Sequence, residues 1–344
     1  MDLFSVDILQ IRDTHYAIGA ETGGKLKNKP VLTAFQQLAS TYIDLAEMKS
    51  IYSCYAPHLL EEMEGLSEGL NIPLKEAYTL FSGYDMNKPH GMGCSAYMDR
   101  QAYTRNYDFS PLVYDGILSL LQNPATITGI GYNLQGIGRH DGVNNCGLAI
   151  GLHFVSHEGY TKGLTAWHAV RMVLDTCSDA NQAIDLLKEL PHSACYNFSI
   201  ADKKGCMAIV EASPGKIELK MGEEYLACFN AFESENLLQL NRGGMASSQL
   251  RRTFIGSLDR CSLDANDLFR LFTERKSPLF FTDYEQMFGT LHTMAYEFES
   301  SRFRTKLAGG QDCLDFSLEE WANGVDLTET ELTGFIRKEE SLDH

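Results

Sequence analysis

One short stretch of the chain, Gly93 to Phe109, contains a cysteine, an arginine and an aspartate whose spacing could support nucleophilic chemistry. Its pattern predicts a β-hairpin, with one strand over Ser95 to Met98, a polar turn over 99–102 and a return strand over Tyr103 to Phe109. The cysteine precedes the first strand and is a candidate nucleophile, because an ionised thiol is a strong nucleophile among protein side chains.

The register of the hairpin decides which side chains meet. In the simplest register, Ala96 faces Arg105. Cys94 then comes level with Tyr107 and Asp108. A thiol, a guanidinium and a carboxylate would meet at one end of the hairpin. Two interpretations remain open on the hairpin alone, a nucleophile site and a free cysteine beside a surface ion pair, since most cysteines behave as small buried hydrophobic residues.

Cleavage of the chain between Gly93 and Cys94 would give the cysteine a base of its own. A free α-amine has a pKa of about 7.7–8.0, so it can accept the thiol proton at neutral pH. Nucleophile and base would then belong to one residue. A small, flexible residue before the cysteine suits such a cleavage, because the thiol must attack the preceding carbonyl.

Other catalytic patterns are absent or weak. The sequence lacks a Gly-x-Ser-x-Gly elbow, a His-Glu-x-x-His motif and a phosphate-binding Gly-x-x-x-x-Gly-Lys loop. His153 and His157 fall on or just after a predicted strand, where residues four apart do not converge on a metal as they do on a helix. No local motif around Cys94 indicates a papain-like cysteine–histidine pair, but that alternative stays open.

The composition is that of a soluble globular protein, with 344 residues, 44% of them hydrophobic and 22% charged. The net charge is −17 and there is no basic block, which argues against nucleic acid or an anionic membrane as the main partner. No apolar run approaches the roughly 20 residues of a membrane span. The amino-terminal residues read as a strand and have no basic start, unlike a secretory signal.

The cysteine pattern gives no sign of a disulfide framework. There are nine, an odd number, scattered from Cys54 to Cys313 without a Cys-x-x-Cys pair. This pattern argues against structural disulfides and against a structural zinc site. We therefore expect a reducing, cytoplasmic location.

The first 90 residues read as one strand followed mostly by helices. Residues 4–11 alternate as a half-buried strand does, and Gly19, Gly23 and Gly24 predict a loop. Apolar residues then recur at helical spacing from Pro30 to Met48. Two more helices are predicted, over 59–70 and from Pro73 to Phe81.

After residue 94 the pattern changes to many strands with two pairs of helices between them. The helices are predicted at 165–174, 180–190, 247–258 and 264–273, the last strand pair at 292–298 and 303–307, and a weak helical pattern from 314 onward. This order predicts an α+β protein in which helices flank β-sheets.

Five motifs, quoted in chain order, carry a family resemblance: Cys94-Ser95 after a glycine, Arg105-Asn106-Tyr107-Asp108, Asp141-Gly142-Val143-Asn144, Asp202-Lys203-Lys204-Gly205 and Phe229-Asn230-Ala231-Phe232. Together they resemble the N-terminal-nucleophile hydrolases of the acyl-coenzyme A:6-aminopenicillanate acyltransferase (peptidase C45) and choloylglycine hydrolase type. Acid ceramidase-like amidases belong to the same group. Each motif is weak alone, but five in the family's order are specific, and the resemblance covers most of the chain.

The resemblance implies roles for the hairpin residues. Cys94 would be the N-terminal nucleophile, exposed by cleavage after Gly93. Arg105 would lower the pKa of the thiolate or hold the substrate. Asp108 would bind and orient the new α-amine. Because residues three apart lie on opposite faces of a flat strand, we also expect a bulge near Asn106, or else one of the two charged residues lies outside the site.

The resemblance also implies partners from outside the hairpin. Asn144 and Asn230 are candidates for an oxyanion hole, although Asn144 lies in an Asp-Gly-x-Asn sequence that is equally typical of a turn. An arginine after Ser247-Ser248 would complete the site. Arg251 fits the spacing best and Arg252 is the alternative.

The resemblance implies an α+β fold of four layers, αββα. Residues 1–93 would form a mostly helical pro-segment that becomes the small chain, and 94–344 the catalytic large chain of one compact unit. The expected function is that of an amidohydrolase or acyltransferase acting on a small N-acyl amide through an acyl-Cys94 intermediate. We expect no metal or cofactor, acyl-coenzyme A only as a co-substrate of a transferase, and leave homo-oligomers open.

Two alternatives to this function remain. Many relatives have Thr-Asn-His-Phe where this chain has Phe229-Asn230-Ala231-Phe232. This departure motivates the first alternative, an unprocessed and inactive binding protein on the same fold. The second is a cysteine–histidine peptidase without self-cleavage.

Overall fold

Two β-sheets form the centre of the protein in the computed structural model, which describes residues 2–40, 42–88, 93–243, 246–259, 263–284 and 288–336. In chain order the strands are β1 (Asp2–Arg12), β2 (Gly93–Asp99), β3 (Ala102–Phe109), β4 (Ile117–Gln122), β5 (Gly129–Leu134), β6 (Gly138–Asn144), β7 (Leu148–Ser156), β8 (Cys195–Asp202), β9 (Met207–Ala212), β10 (Ile217–Gly222), β11 (Tyr225–Cys228), β12 (Thr282–Asp283), β13 (Phe288–Glu297), β14 (Arg302–Leu307), β15 (Cys313–Ser317) and β16 (Glu331–Ile336).

The helices fall into an amino-terminal group and a set that covers the sheets. In chain order they are α1 (His15–Leu26), α2 (Val31–Leu38), α3 (Leu45–Tyr55), α4 (His58–Leu70), α5 (Leu74–Phe81), α6 (Ala166–Thr176), α7 (Ala180–Glu189), α8 (Ala246–Gly256), α9 (Ala265–Thr273) and α10 (Leu318–Ala322). No helix in the described part of the chain is both long enough and apolar enough to cross a lipid bilayer.

The sheets and helices stack in four layers. One sheet has the strand order β10-β9-β8-β7-β6-β5-β4-β1-β16, and the other has the order β11-β2-β3-β13-β14-β15, with β12 paired to β13. Strand β2 packs on β7 and β8, which joins the sheets face to face. Helices α6 and α7 cover the nine-stranded sheet, and α9 covers β3 and β13. The predicted α+β fold with four αββα layers is confirmed.

Strand β7 shows why the centre of this stack is so apolar. All nine of its residues, Leu148–Ser156, are buried. One face of the strand meets β2 of the other sheet, and α6 packs against it as well. A strand covered on both faces has no side that must be polar, so its sequence does not alternate.

The amino-terminal segment is built into the nine-stranded sheet. Strand β1 runs parallel to β4 on one side and antiparallel to β16 on the other. The prediction of one strand followed by helices before residue 90 is confirmed. The segment therefore supplies an interior strand of the sheet as well as the helices α1 to α5.

The glycines near residue 20 mark a helix crossing, and the loop predicted there is wrong. Gly19, Gly23 and Gly24 lie within α1. A β-carbon on Gly19 would overlap the backbone of α4, and one on Gly65 of α4 would overlap the backbone of α1. The two helices cross so closely that only glycine fits, because it carries no side chain.

Two other regions differ from the prediction. The helical pattern from Pro30 to Met48 is interrupted, because α2 ends at Leu38 and α3 begins at Leu45. Asp44 caps the start of α3 by accepting hydrogen bonds from two backbone N–H groups, which favours a new helix start at that position. The tail after residue 314, which has a weak helical pattern, forms mainly β15 and β16 with only the short α10 between them.

A buried charge cluster joins the amino-terminal helices to α6. The Arg171 guanidinium pairs with Glu62 at 2.6 Å and with Asp175 at 2.7 Å. His58 Nε2 lies 2.8 Å from the Asp175 carboxylate, and His15 Nδ1 lies 3.3 Å from Glu62. Burial raises the pKa of Glu62, but the charge of Arg171 and the bond to His15 outweigh it, so the pKa is lowered and the carboxylate stays ionised.

Replacing Arg171 with methionine should lower the free energy of unfolding by about 3–5 kcal/mol, because the two buried carboxylates would lose their cation. Urea unfolding followed by circular dichroism measures the change. Arg302→Met is the matched control, since Arg302 pairs with Asp315 at the surface and its loss should cost no more than about 1 kcal/mol. Equal losses in the two variants would contradict a special role for the buried cluster.

Candidate active site

The hairpin of β2 and β3 has the predicted register. Ala96 pairs with Arg105, and Cys94 pairs with Tyr107. The pairing is regular from Gly93 to Met98. Because residues directly opposite each other in an antiparallel pair point to the same face, the thiol and the guanidinium share the face that meets the other sheet.

Arg105 lies against the candidate nucleophile. Its Nη2 donates to Cys94 Sγ at 3.0 Å and also to the backbone carbonyl of Leu152. Its Nη1 pairs with the Asp141 carboxylate. Its side chain fills the space beside Gly151 of β7, where a β-carbon would collide with it. The guanidinium is fully buried and held on three sides, so its position against the thiol is fixed.

Two β-bulges bring the partners of Arg105 into the space between the sheets. On β6 the register with β5 skips His140, and on β13 the register with β3 skips Leu291. Each extra residue re-aims the side chains that follow it. As a result Asp141 and His292 meet, with His292 Nε2 3.1 Å from the Asp141 carboxylate. The alternation of apolar and polar residues in the sequence did not reveal either bulge. The pairing of Asp141 with His292 beside Arg105 was therefore not predicted from the sequence.

The protonation of this pair follows from its partners. Burial raises the pKa of Asp141, but His292 and Arg105 outweigh it, so the pKa lies well below its ordinary value and the group is a carboxylate. Burial also lowers the pKa of His292, so the ring is neutral at neutral pH. Since a carboxylate only accepts, His292 Nε2 carries the proton, and Nδ1 accepts from the Tyr114 hydroxyl at 2.7 Å.

Asp108 lies on the opposite face of the hairpin. It pairs with Gly93 across the strands, and its Oδ1 accepts from the Thr290 hydroxyl at 2.7 Å. Its Oδ2 has no hydrogen-bond partner within the described ranges, and a β-carbon on Gly93 would lie 3.2 Å from it. Burial raises the pKa of Asp108 to about 6, against the opposing charge of Arg251 and the Thr290 bond.

The bulge expected near Asn106 is wrong, because β2 and β3 pair without a register shift there. Arg105 nevertheless contacts the Cys94 thiol, and Asp108 lies beside the preceding residue, Gly93. The thiol of Cys94 points to one face, where Arg105 lies, and the backbone bond between Gly93 and Cys94 can be approached from the face of Asp108. Because the backbone of a strand can be approached from both faces of the sheet, side chains on opposite faces can act on neighbouring atoms of the same strand.

The backbone of Cys94 is held by two residues far away in the sequence. Its N–H donates to Asn230 Oδ1 at 2.9 Å. Arg251 Nη1 donates to the Cys94 carbonyl at 2.6 Å and to Ser95 Oγ at 2.8 Å. Arg251 Nη2 also donates to Asn230 Oδ1 at 3.2 Å, which joins the two partners. The structure thus places both sequence-predicted residues, Asn230 and Arg251, at the candidate nucleophile.

Arg251 and Arg252 have different surroundings, and only the first lies in the group around Cys94. Arg251 is 3% exposed. Arg252 is exposed and pairs with Glu233 at 2.6 Å. One residue along a helix turns the side chain by about 100°, so only one of the two can face the hairpin.

Asn144 lies with a different group of residues. Its Nδ2 donates to the carbonyls of Leu174 and Cys177, at 3.0 and 2.8 Å. Its Oδ1 accepts from the N–H groups of Cys146 and Leu148, both at 3.2 Å. These bonds tie the turn between β6 and β7 to the end of α6. The amide is fully used by backbone groups, as its turn-like sequence had also allowed.

Asn197 and His153 are two buried residues that sequence reasoning did not assign to the site. Asn197 Nδ2 donates to the carbonyls of Phe229 and Ala231, so it fixes the backbone on both sides of Asn230. His153 pairs across the strands with Asn197, and its Nε2 lies 2.8 Å from Ser199 Oγ. Burial lowers the pKa of His153 well below 6.5, whereas an interaction with the Cys94 backbone raises it. The described residues contain no cluster suited to a metal ion.

The thiol of Cys94 is protonated at neutral pH. Burial raises the pKa of Cys94 to about 12, and the carboxylates of Asp108 and Asp141 add to this rise. Arg105 and Arg251 lower it without outweighing the burial. At neutral pH the group is a thiol, so attack requires a base close enough to take its proton.

Replacing Arg105 with methionine should raise the pKa of Cys94 further, because the cation against Sγ is lost. Alkylation of Cys94 by iodoacetamide, followed by peptide mass spectrometry, should become at least about tenfold slower at pH 8, which corresponds to one pKa unit. Arg105→Lys keeps the charge and should give an intermediate rate. Arg304→Met removes another buried arginine on β14 and should leave the rate unchanged. An unaltered rate in Arg105→Met would show that the contact does not control the thiol.

Comparison with known proteins gives both a family and several similar structures. Residues 96–312 match the family described as acyl-coenzyme A:6-aminopenicillanic acid acyl-transferase. A mutant of conjugated bile acid hydrolase from Clostridium perfringens is 13% identical, covers 67% of this chain and 93% of its own, and has a TM-score of 0.44. Penicillin V acylase from Agrobacterium tumefaciens is 12% identical, with coverage of 66% and 86% and a TM-score of 0.39.

An N-acylethanolamine-hydrolyzing acid amidase ortholog from Caenorhabditis elegans is also similar, with 12% identity, coverage of 62% of this chain and 99% of that chain, and a TM-score of 0.42. The comparison with curated proteins gave no match. The family match spans well over half of the residues and includes the hairpin positions Arg105 and Asp108. The chain therefore belongs to the acyl-coenzyme A:6-aminopenicillanic acid acyl-transferase family.

Proposed function

We propose that this protein cleaves its own chain between Gly93 and Cys94 and then uses Cys94 to cleave, or to transfer, the acyl group of a non-peptide linear amide. The observation that carries the proposal is the way the three reacting parts of Cys94 are held. Its thiol contacts Arg105, its N–H contacts Asn230, and its carbonyl contacts Arg251.

Self-cleavage would proceed by an acyl shift. Cys94 Sγ attacks the Gly93 carbonyl carbon, a C–S bond forms, and the C–N bond to Cys94 breaks. The thiol proton ends on the departing nitrogen, which becomes the α-amine. Water then hydrolyses the thioester, leaving a carboxylate on Gly93 and a free thiol on Cys94.

Asp108 would receive the new amine. Its Oδ2 lies beside Gly93 and has no hydrogen-bond partner in the described part of the chain. With the pKa of Asp108 raised by burial to about 6, the group is mostly ionised at pH 7. A carboxylate at this position would pair with the α-ammonium group and hold it near the thiol.

Amide cleavage would reuse the same residue. The α-amine accepts the thiol proton while Sγ attacks the substrate carbonyl, and the departing amine takes that proton as the C–N bond breaks. Water or a second acceptor then removes the acyl group from Cys94. An acyl-coenzyme A would enter as co-substrate only in a transferase. None of these steps requires a metal ion.

Intact-mass analysis of the purified protein tests the first step. We expect two chains, with the larger beginning at Cys94, and hydrolysis of members of a panel of N-acyl amides of varied chain length. Cys94→Ala should remain one uncut chain without activity, whereas Cys228→Ala, another buried cysteine, should be cut normally. Cleavage in Cys94→Ala would refute the mechanism. A protein that stays uncut and is not labelled by a thiol-reactive amide probe would favour the alternative of an inactive binding protein.

The two asparagines should respond differently to alanine substitution. Asn230→Ala should slow amide hydrolysis by about 10²–10³ in kcat if its amide supports the oxyanion. Asn144→Ala should instead destabilise the fold by about 2 kcal/mol or more, because it strands buried backbone groups. Steady-state kinetics and urea unfolding of both variants measure the two effects. A larger kcat loss in Asn144→Ala would return the oxyanion role to that residue.

A further inference from the structure

Three arginines act electrostatically on the Cys94 thiol, and two of them are already occupied. Arg105 is held by Asp141 and a backbone carbonyl. Arg251 donates to the Cys94 carbonyl, to Asn230 and to two serine hydroxyls. The third is Arg242, whose pKa a thiolate at Cys94 would raise, while burial lowers it. Of these three arginines, Arg242 alone has neither a hydrogen-bond nor an ion-pair partner among the residues that the structure describes.

Arg242 lies between two aromatic rings. Its guanidinium carbon is 5.3 Å from the ring centre of Phe154 and 5.6 Å from that of Phe288. Within the described ranges it donates no hydrogen bond and pairs with no carboxylate. The side chain is only partly exposed, so its N–H donors are partly removed from water. An arginine stacked in this way keeps the edge of its planar fork free for a bidentate anion.

The chain before Arg242 is anchored, which fixes its position. Ser156 Oγ donates to the Leu240 carbonyl at 2.5 Å. Asn241 accepts from the Phe232 N–H at 2.7 Å and donates to the Phe232 carbonyl at 3.0 Å. These bonds connect the segment to the end of β7 and to the residues just after Asn230. The backbone that carries Arg242 is therefore fixed to the same strand and loop that position Asn230.

Phe154 links this cation to the reacting groups. Its ring contacts Arg242, and its carbonyl accepts from Asn230 Nδ2 at 2.9 Å. Asn230 in turn accepts from the N–H of Cys94. The ring also meets Tyr196 at 5.5 Å between centres, which extends an apolar wall beside the cation. A substrate placed at Cys94 would thus find an aromatic surface beside one positive charge that has no partner in the described part of the chain.

We propose that Arg242 binds a carboxylate on the substrate, so that the preferred substrates are N-acyl amides that carry an anionic group. This inference rests on the proposed function of Cys94. A neutral amide would leave the guanidinium without a partner, whereas a carboxylate would satisfy two of its donors. The carboxylate could belong to the amine half, as in an N-acyl amino acid, or to the acyl half, as in the monoamide of a dicarboxylic acid.

Matched substrate pairs test this specificity. For N-acyl amino acids and for dicarboxylic monoamides, kcat/KM is measured on the free acid and on its methyl ester. In one of the two series the acid should be preferred, and Arg242→Met should lower the acid-to-ester ratio by about 10- to 100-fold, as expected for a lost hydrogen bond to a charged group. Arg242→Lys should keep part of the ratio. Arg252→Met is the control and should not change it.

A second probe does not depend on amide cleavage. The alkylation rate of Cys94 is measured with iodoacetate, an anion, and with iodoacetamide, its neutral counterpart, by peptide mass spectrometry. Arg242→Met should lower the iodoacetate-to-iodoacetamide ratio by about tenfold, since a local positive field concentrates anions, and Arg252→Met should leave it unchanged.

The two probes separate the hypotheses. Ratios that do not change in Arg242→Met would overturn the role of Arg242 even if amides are cleaved. A changed alkylation ratio without any amide cleavage would support anion binding by Arg242 and contradict the proposed function. A preference for the ester in both substrate series would also overturn the inference.

Discussion

The buried contact between Arg105, the Cys94 thiol and the Asp141 carboxylate is the interaction on which the rest of the site depends. A guanidinium does not lose its proton in a protein, so burying it requires negative charge close by. Asp141 supplies that charge permanently, and a thiolate could supply it only after deprotonation. The site therefore holds Cys94 as a thiol, and its attack on a substrate amide needs a base, which is the role that the proposed α-amine would fill.

The four layers divide this chemistry between the two faces of one strand. On the inner face of β2, the thiol meets Arg105 between the sheets. On the outer face, Arg251 donates to the backbone carbonyl of Cys94, and Asp108 lies beside Gly93. Strand β1, which precedes the proposed cleavage point, lies between β4 and β16. Helix α4 of the same segment is attached through the ion pair of Glu62 with Arg171. A cut after Gly93 would therefore leave the amino-terminal segment bound within the sheet.

Local pattern predicted the elements and the hairpin register well, because alternation and helical spacing are properties of neighbouring residues. It failed where one residue type has two uses. Gly19 was predicted to lie in a loop, but together with Gly65 it allows two helices to touch. The sequence of Asn144 suits both an oxyanion donor and a turn residue, and in the structure its amide bonds backbone groups of a turn and of α6.

The sequence by itself determined the candidate nucleophile, its hairpin, the αββα class and the family. The tertiary structure decided which distant groups lie near Cys94. Arg251 lies there and Arg252 does not, and two β-bulges bring Asp141 and His292 together next to Arg105. The reason is physical. A bulge adds one residue and so reverses which side chains face the core, and hydrogen-bond partners far apart in sequence are fixed only when the sheets pack.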